Sequence, residues 1–568
     1  MRVGKGIVVI AAAGILATQL TGTAAAGRSP FDGYGTQELS WGTCGFAPVA
    51  GAKPAECALV RVPRDWAHPR AGDELRIGIS RVKATGKRTG VLLTNPGGPG
   101  AQGTPVAGQI AALEPAVNEV YDIIGMDPRG TGVAGSAEEG LQPYLCHVPA
   151  DQLPQRTDLD ARDRSPANIA EHQRIPQAIA NACEANPLAP YITTWQTAHD
   201  VELVRLLLGE STLNYLGYSY GTWLGAKYAS MFPGSAGKMV LDSSTDWQGR
   251  LADAFSFFPV ADQRWLDDLF LPWLARQWPQ LVGPTKEAAA KTWEEVRAHY
   301  KGLGFSGDDF DQAFVGAGNP SFWYSDTILI LAAAKELRGG SLTPVSADLR
   351  AQLEAYAQRN LHMSYRDVTA EFFGSFLRSD FTTLPGTRFS VACNDQPTES
   401  TLWYRRLSDH QGPRYPLDGW AYGLYEVCGP WSQHPREALP DLPTSAAAKV
   451  LVVQGEFDPQ TGYEQGAGAV RKAPGASLVS VDDSPFHGQY ALTGDSCVEN
   501  AVNGYLLNGI RPGSEVCPGQ PLPGEDQVYA TPGPVPGHSS AETQLTHRPL
   551  RELAAQLQET ISRVNSVR

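Results

Sequence analysis

The sequence predicts an α/β protein: a mostly parallel sheet covered by helices on both faces, with a largely helical insertion. Three observations carry this expectation. Short apolar runs recur up to Asp242, most of them ending at a turn rich in Gly, Pro or Asp. Helical spacing of apolar residues, as from Thr197 to Leu208, falls between them. The rhythm stops near residue 247 and returns with the run Val450 to Gln454.

The elements follow in order. Arg2 and Lys5, an apolar stretch from Gly6 to Leu20 and the small residues Ala24-Ala25-Ala26 read as a secretory leader over residues 1–26. Its apolar run is short for a bilayer span. Leu75, Ile77 and Ile79 alternate with less apolar residues, as a strand does, and Val91 to Leu93 is a short buried strand. Asn95-Pro96-Gly97-Gly98-Pro99-Gly100 follows directly. Tyr121 to Met126 is another strand, ending in Asp127-Pro128-Arg129-Gly130, where a buried ion pair would brace the sheet end. A helix over Thr197 to Leu208 has Asp200 and Glu202 near its start. Leu213 to Leu216 and Met239 to Leu241 are strands, with a helix from Thr222 to Phe232 between them.

From 247 to 430 the chain reads as a helical cap or lid, rich in aromatics: Trp265, Phe270, Trp273, Trp278, Trp293, Phe322, Trp323, Tyr324, Phe372 and Phe373. These suit a small core or a cleft lining, and Thr327 to Leu337 has helical spacing. The division expected is therefore a leader (1–26), a first core segment (27–246), the cap (247–430), a second core segment (431–520), and a tail (521–568). The tail combines a Pro- and Gly-rich linker or surface strap with an amphipathic helix at Leu550, Leu553, Leu557, Ile561 and Val564.

Composition narrows the function. The chain is 42% hydrophobic and 19% charged, as a folded globular protein is, and its formal charge is −14. That charge argues against nucleic acid or an anionic membrane as a partner. No later stretch is apolar enough for stable membrane insertion, and nothing indicates an oligomeric state. All eight cysteines follow the leader, which points to disulfides in an exported chain. Pairing of neighbours is the simplest arrangement: Cys44 with Cys57, Cys146 with Cys183, Cys393 with Cys428, and Cys497 with Cys517. No metal-ligand spacing occurs, and no cofactor is implied.

The chemistry centres on Gly217-Tyr218-Ser219-Tyr220-Gly221. A strand, a Gly-x-Ser-x-Gly turn and a helix form the context of a nucleophile elbow. A serine hydroxyl needs a histidine to take its proton and a carboxylate to orient that histidine. In chains of this architecture both follow the serine. Asp458 stands just past the strand Val450 to Gln454, with Glu456 as its near rival and Asp242 as a geometric variant. His487 lies in a loop soon after the strand Leu478 to Val481; His538 and His547 fall in the tail, and His434 precedes the acid. The oxyanion donors expected are the N–H of Tyr220 and one from the Asn95 to Gly100 loop, Gly98 before Gly97.

These pieces, with Tyr121 to Gly132, Gln454 to Pro459 and Cys497, resemble the secreted tripeptidyl aminopeptidase and proline iminopeptidase-like serine peptidases of the α/β-hydrolase fold. The likeness spans roughly residues 40–520. It implies Ser219, Asp458 and His487 as the triad, and peptides with free N-termini as substrates. Asn95 stands where many iminopeptidase relatives carry histidine, which points away from simple proline release. Release of a short peptide also needs a receptor for the α-ammonium, for which Asp395 and Glu426, next to cysteines, are the candidates. The same triad would serve a carboxylesterase or lipase.

Overall fold

The computed structural model describes residues 29–138, 140–154, 156, 158–316, 331–332, 335–336, 345–361, 363–367, 382–537 and 551–563. The leader, most of Thr327 to Leu337, Phe322, Trp323, Tyr324, Phe372, Phe373, His538 and His547 lie outside them.

Ten strands form the main sheet: β1 (Gly42–Thr43), β2 (Glu56–Pro63), β3 (Glu74–Val82), β4 (Gly90–Asn95), β5 (Tyr121–Met126), β7 (Leu213–Tyr218), β8 (Ala236–Asp242), β10 (Val450–Gly455), β11 (Ser477–Val481) and β12 (Glu515–Cys517). Their spatial order is β1-β2-β3-β5-β4-β7-β8-β10-β11-β12, and two short strands, β6 (Leu145–His147) and β9 (Thr383–Pro385), pair separately. The first four in this order are antiparallel, and every pairing from β5 to β12 is parallel. β4, β5 and β10 are buried at every residue, because helices cover both faces of a parallel sheet. The chain reverses its order between β5 and β4, and the loops at the carboxyl ends of β4 and β7 meet beside that crossing. This is the α/β-hydrolase fold.

The insertion after β8 builds a helical cap. The helical segments Trp265–Phe270, Leu271–Gln277, Lys286–Gly302 and Ala347–Leu361 enclose their own apolar core, with Trp265, Phe270, Trp273, Trp278 and Trp293 buried in it. These aromatics therefore fill the cap. Val391, Cys393, Tyr404, Tyr422, Cys428 and Trp431 bury instead in the core of the sheet, with Trp223 and Tyr228. Four disulfides join sequence neighbours: Cys44–Cys57, Cys146–Cys183, Cys393–Cys428 and Cys497–Cys517. The tail crosses the surface as a strap to Gly537, and helix Arg551–Arg563 docks Ala554, Leu557 and Ile561 on the core beside helix Val106–Leu113. Among the described residues, no helix is long and apolar enough to cross a membrane.

The buried ion pair differs from the one expected. Arg129 pairs with Asp200, through Nε to Oδ2 at 2.7 Å and Nη2 to Oδ1 at 2.6 Å, both side chains fully buried. Its remaining protons reach the carbonyls of Pro63, Arg64 and Tyr191. Asp127 faces the other way: it accepts from the N–H and hydroxyl of Thr104 and from Ala134 N–H. Burial pushes its carboxyl up to about 6. Pro128 lies between the two and separates their directions.

Asp200→Asn removes the charge that compensates Arg129 and should lower unfolding free energy by ~3–5 kcal/mol. Urea denaturation checks this; a loss below ~1 kcal/mol, the worth of a surface pair, would contradict it.

Candidate active site

Ser219 has φ 57° and ψ −128°, between β7 and helix Tyr220–Met231. A β-carbon-bearing residue rarely adopts this conformation, and it aims the side chain off the sharp turn. Close backbone contacts enforce it. A Cβ on Gly217 would lie 2.5 Å from Gly221 O, and one on Gly221 would lie 2.8 Å from Asn95 O. Ser219 N–H donates to Asp242 O at 3.0 Å, fastening the turn to β8.

The loop after β4 presses on this turn. Gly97 has φ +95°, and a Cβ there would sit 2.5 Å from Tyr218 O, 2.9 Å from Ser219 Cβ and 3.1 Å from Tyr220 N. Its own N–H donates to Asn95 Oδ1 at 2.9 Å. Asn95 thus shapes the loop from within, a role that its place at the end of an apolar strand did not signal.

Asp458 and His487 are fully buried and in contact: Nδ1 lies 2.9 Å from Oδ1 and 3.0 Å from Oδ2. Asp458 also accepts from Gln460 N–H and Thr461 N–H, each at 2.9 Å, and from Thr461 Oγ1 at 2.8 Å. These donors fix the carboxylate, and its contact with Nδ1 places the ring proton there, leaving a lone pair on Nε2. Nε2 is buried and has no hydrogen-bond partner among the described residues.

The loop of His487 is held to the serine turn by groups to which the sequence assigned no such role. Ser243 Oγ accepts from Gly488 N–H at 2.6 Å, and Asp242 accepts from Gln489 N–H and Tyr490 N–H. Tyr218 Oη donates to Tyr490 O at 2.9 Å. Asp242 therefore orders the backbone beside the histidine, and its carboxyl is pushed up to about 7 by burial and, less strongly, by Asp458 nearby. Its position at a strand end was the only sequence signal.

Glu456 lies two residues before Asp458 but points elsewhere, accepting from Asp483 N–H at 2.9 Å and Val535 N–H at 2.6 Å. Glu456, Asp482 and Asp483 bring three buried carboxyl groups within 4.8 Å of one another. His434 is exposed, beside Tyr191 and Arg436. Asp395 is buried under helix Tyr220–Met231 and accepts from Thr194 N–H at 2.7 Å and Trp223 Nε1 at 3.1 Å. Burial pushes it up to about 6. Glu426 is half-buried and accepts from Cys428 N–H. No hydrogen bond links either acid to Ser219 or His487 among the described residues. The sulfurs near Glu426 belong to the Cys393–Cys428 disulfide.

Two family profiles match this chain: "alpha/beta hydrolase fold" over residues 90–292 and "TAP-like protein" over residues 417–517. The tripeptidyl aminopeptidase of Streptomyces lividans is 27% identical over 500 residues, covering 80% of this chain and 82% of that one. Serine protease Hip1 of Mycobacterium tuberculosis is 25% identical over 511 residues, covering 84% and 90%. Carboxylesterase B of the same organism is 27% identical over 524 residues, covering 86% and 91%. The chain is an α/β-hydrolase-fold protein related to tripeptidyl aminopeptidase and Hip1-like serine peptidases.

Proposed function

We propose that this protein is a secreted serine aminopeptidase that releases short peptides, tripeptides first among them, from free N-termini. The observation that carries the hydrolytic part is the buried Asp458–His487 pair with its bare Nε2, on a loop tied to Tyr218, the residue before a serine in a strained turn. In this reading Nε2 takes the proton of Ser219 Oγ as the oxygen attacks a carbonyl carbon. The oxyanion formed is met by the N–H groups of Tyr220 and Gly98, since Gly97 N–H is already spent on Asn95. Collapse expels the amine, which receives its proton from His487, and water then hydrolyses the acyl-enzyme by the same route. Asp458 keeps the ring in the tautomer that leaves Nε2 basic.

The peptidase reading is supported by the relatives called tripeptidyl aminopeptidase and Hip1. A formal charge of −14 suits a cationic N-terminus. Export is supported by the leader pattern and four disulfides. A carboxylesterase is the second reading, favoured by the relative of that name.

Ser219→Ala should lower turnover by about 10⁶-fold without altering the thermal transition; residual turnover near the wild-type rate would exclude Ser219 as nucleophile. Gly97→Ala, whose methyl must displace the serine turn, should cost about 100-fold, as a 1 Å misplacement does. The substrate is tested with peptide amides, free and N-acetylated, and short-chain esters. Free-amino peptides should be cleaved and their acetylated forms refused. Equal rates on both would sink the aminopeptidase reading, and turnover of esters alone would favour the esterase.

A further inference from the structure

We propose that Glu456 is a positioning residue that clamps a cap-anchored strap onto the two loops carrying Asp458 and His487. The inference rests on the hydrolase reading above and concerns how its acid and base are held.

The strap is the Pro- and Gly-rich stretch after β12. It leaves the sheet at Gly519, where a Cβ would lie 2.2 Å from Asp482 O and 3.2 Å from Asp483 Cβ. It then runs out to the cap. Leu522 buries in the cap core, Trp273 Nε1 donates to Pro523 O at 2.9 Å, and Arg276 pairs with the buried Glu525 at 2.7 Å. The Arg276 guanidinium also stands 4.1 Å over the Tyr529 ring. The chain returns to the sheet at Thr531, whose N–H donates to Asp483 Oδ1 at 2.7 Å, and at Val535, whose N–H donates to Glu456 Oε1 at 2.6 Å. Between them a Cβ on Gly533 would lie 2.3 Å from Glu456 Oε1, so only glycine allows this approach. Glu456 Oε2 accepts from Asp483 N–H. One carboxyl group thus joins three segments: the loop of Asp458, the loop leading to His487, and the strap.

The groups facing Glu456 are Asp482 and Asp483 from the histidine loop, the Tyr463 side chain from helix Tyr463–Lys472, and the strap backbone at Gly533 and Val535. Burial, and then the Asp482 carboxyl, push Glu456 up to about 8, against the pull of the two N–H donors. The folded protein therefore keeps a proton that the unfolded chain releases near the ordinary carboxyl value. Stabilisation by this clamp is complete below that value and is lost as pH rises through about 8. Above it, an ionised Glu456 faces the carboxyl groups of Asp482 and Asp483 at close range, and the strap loosens.

The test is the rate of fluorophosphonate attachment to Ser219 in the full chain, measured from about pH 6 to 10, a range bracketing the expected titration. The wild-type rate should decline as pH rises through about 8. Glu456→Gln cannot ionise, so the decline should vanish. Its plateau should be about tenfold lower, within the ~100-fold that a 1 Å misplacement costs, because the amide turns an NH2 toward one N–H donor. Gly533→Ala leaves both catalytic loops unchanged in sequence and should lower the rate by the same order. The inference is overturned if Glu456→Gln keeps the wild-type alkaline decline, or if folded Gly533→Ala reacts at the wild-type rate. Should Glu456→Gln fail to fold, Gly533→Ala decides alone. Wild-type protein that never reacts overturns the hydrolase reading and this inference together; reactive wild type with indifferent variants overturns this inference only.

Discussion

Backbone packed against backbone around Ser219 is the constraint on which the rest of the site depends. A serine at φ 57° costs of order 1–3 kcal/mol, and that strain persists only where the surroundings over-determine it. Here they do so from three sides. Gly217 and Gly221 let the turn close on itself, Asn95 approaches Gly221, and Gly97 lies against Tyr218 and Ser219. Asp242 O holds the serine N–H from the neighbouring strand. The same contacts that fix the serine bring the β4 loop against it. The position of Ser219 and the placement of the β4 loop are thus one packing problem.

Around this turn, neighbouring carboxyl groups are kept apart in role by their donors. Asp458 accepts from two backbone N–H groups, a threonine hydroxyl and the imidazole. Asp242, equally buried, meets the backbone of the histidine loop and is pushed up to about 7. Glu456 meets the strap. A carboxylate that must face a developing imidazolium needs fixed donors on its other lone pairs, and Asp458 has them.

Much of this was legible in the chain. The buried parallel strands announced themselves as apolar runs closed by turns, and the order expected after the serine picked out Asp458 and His487, which the fold brings into contact. The edge strands were quieter. β2 alternates Ala58, Val60 and Val62 inward with the exposed Leu59 and Arg61 outward, so its apolar signal is halved, and β12 has only three residues. Long-range partners left no local trace: Asp200 lies 71 residues from Arg129, and Ser243 is 245 residues from Gly488. The acids expected to receive a substrate amine were chosen for their nearness to cysteines, and that proximity says nothing about which way a carboxylate faces. Asp395 turns inward, under the helix that begins at Tyr220.

The parallel pairing of β8 with β10 spans the whole cap, with Leu241 opposite Val452 and Asp242 opposite Val453. A chain emerging from its N-terminus first therefore presents Ser219 long before it has made Asp458 or His487. The nascent protein carries the Ser219 turn without the Asp458–His487 pair until β10 and the loop after β11 have been made. Closing so long an excursion grows dearer only slowly, by about 0.6 kcal/mol for each doubling of its length. The cap between β8 and β10 can therefore change in length at little thermodynamic penalty to the sheet.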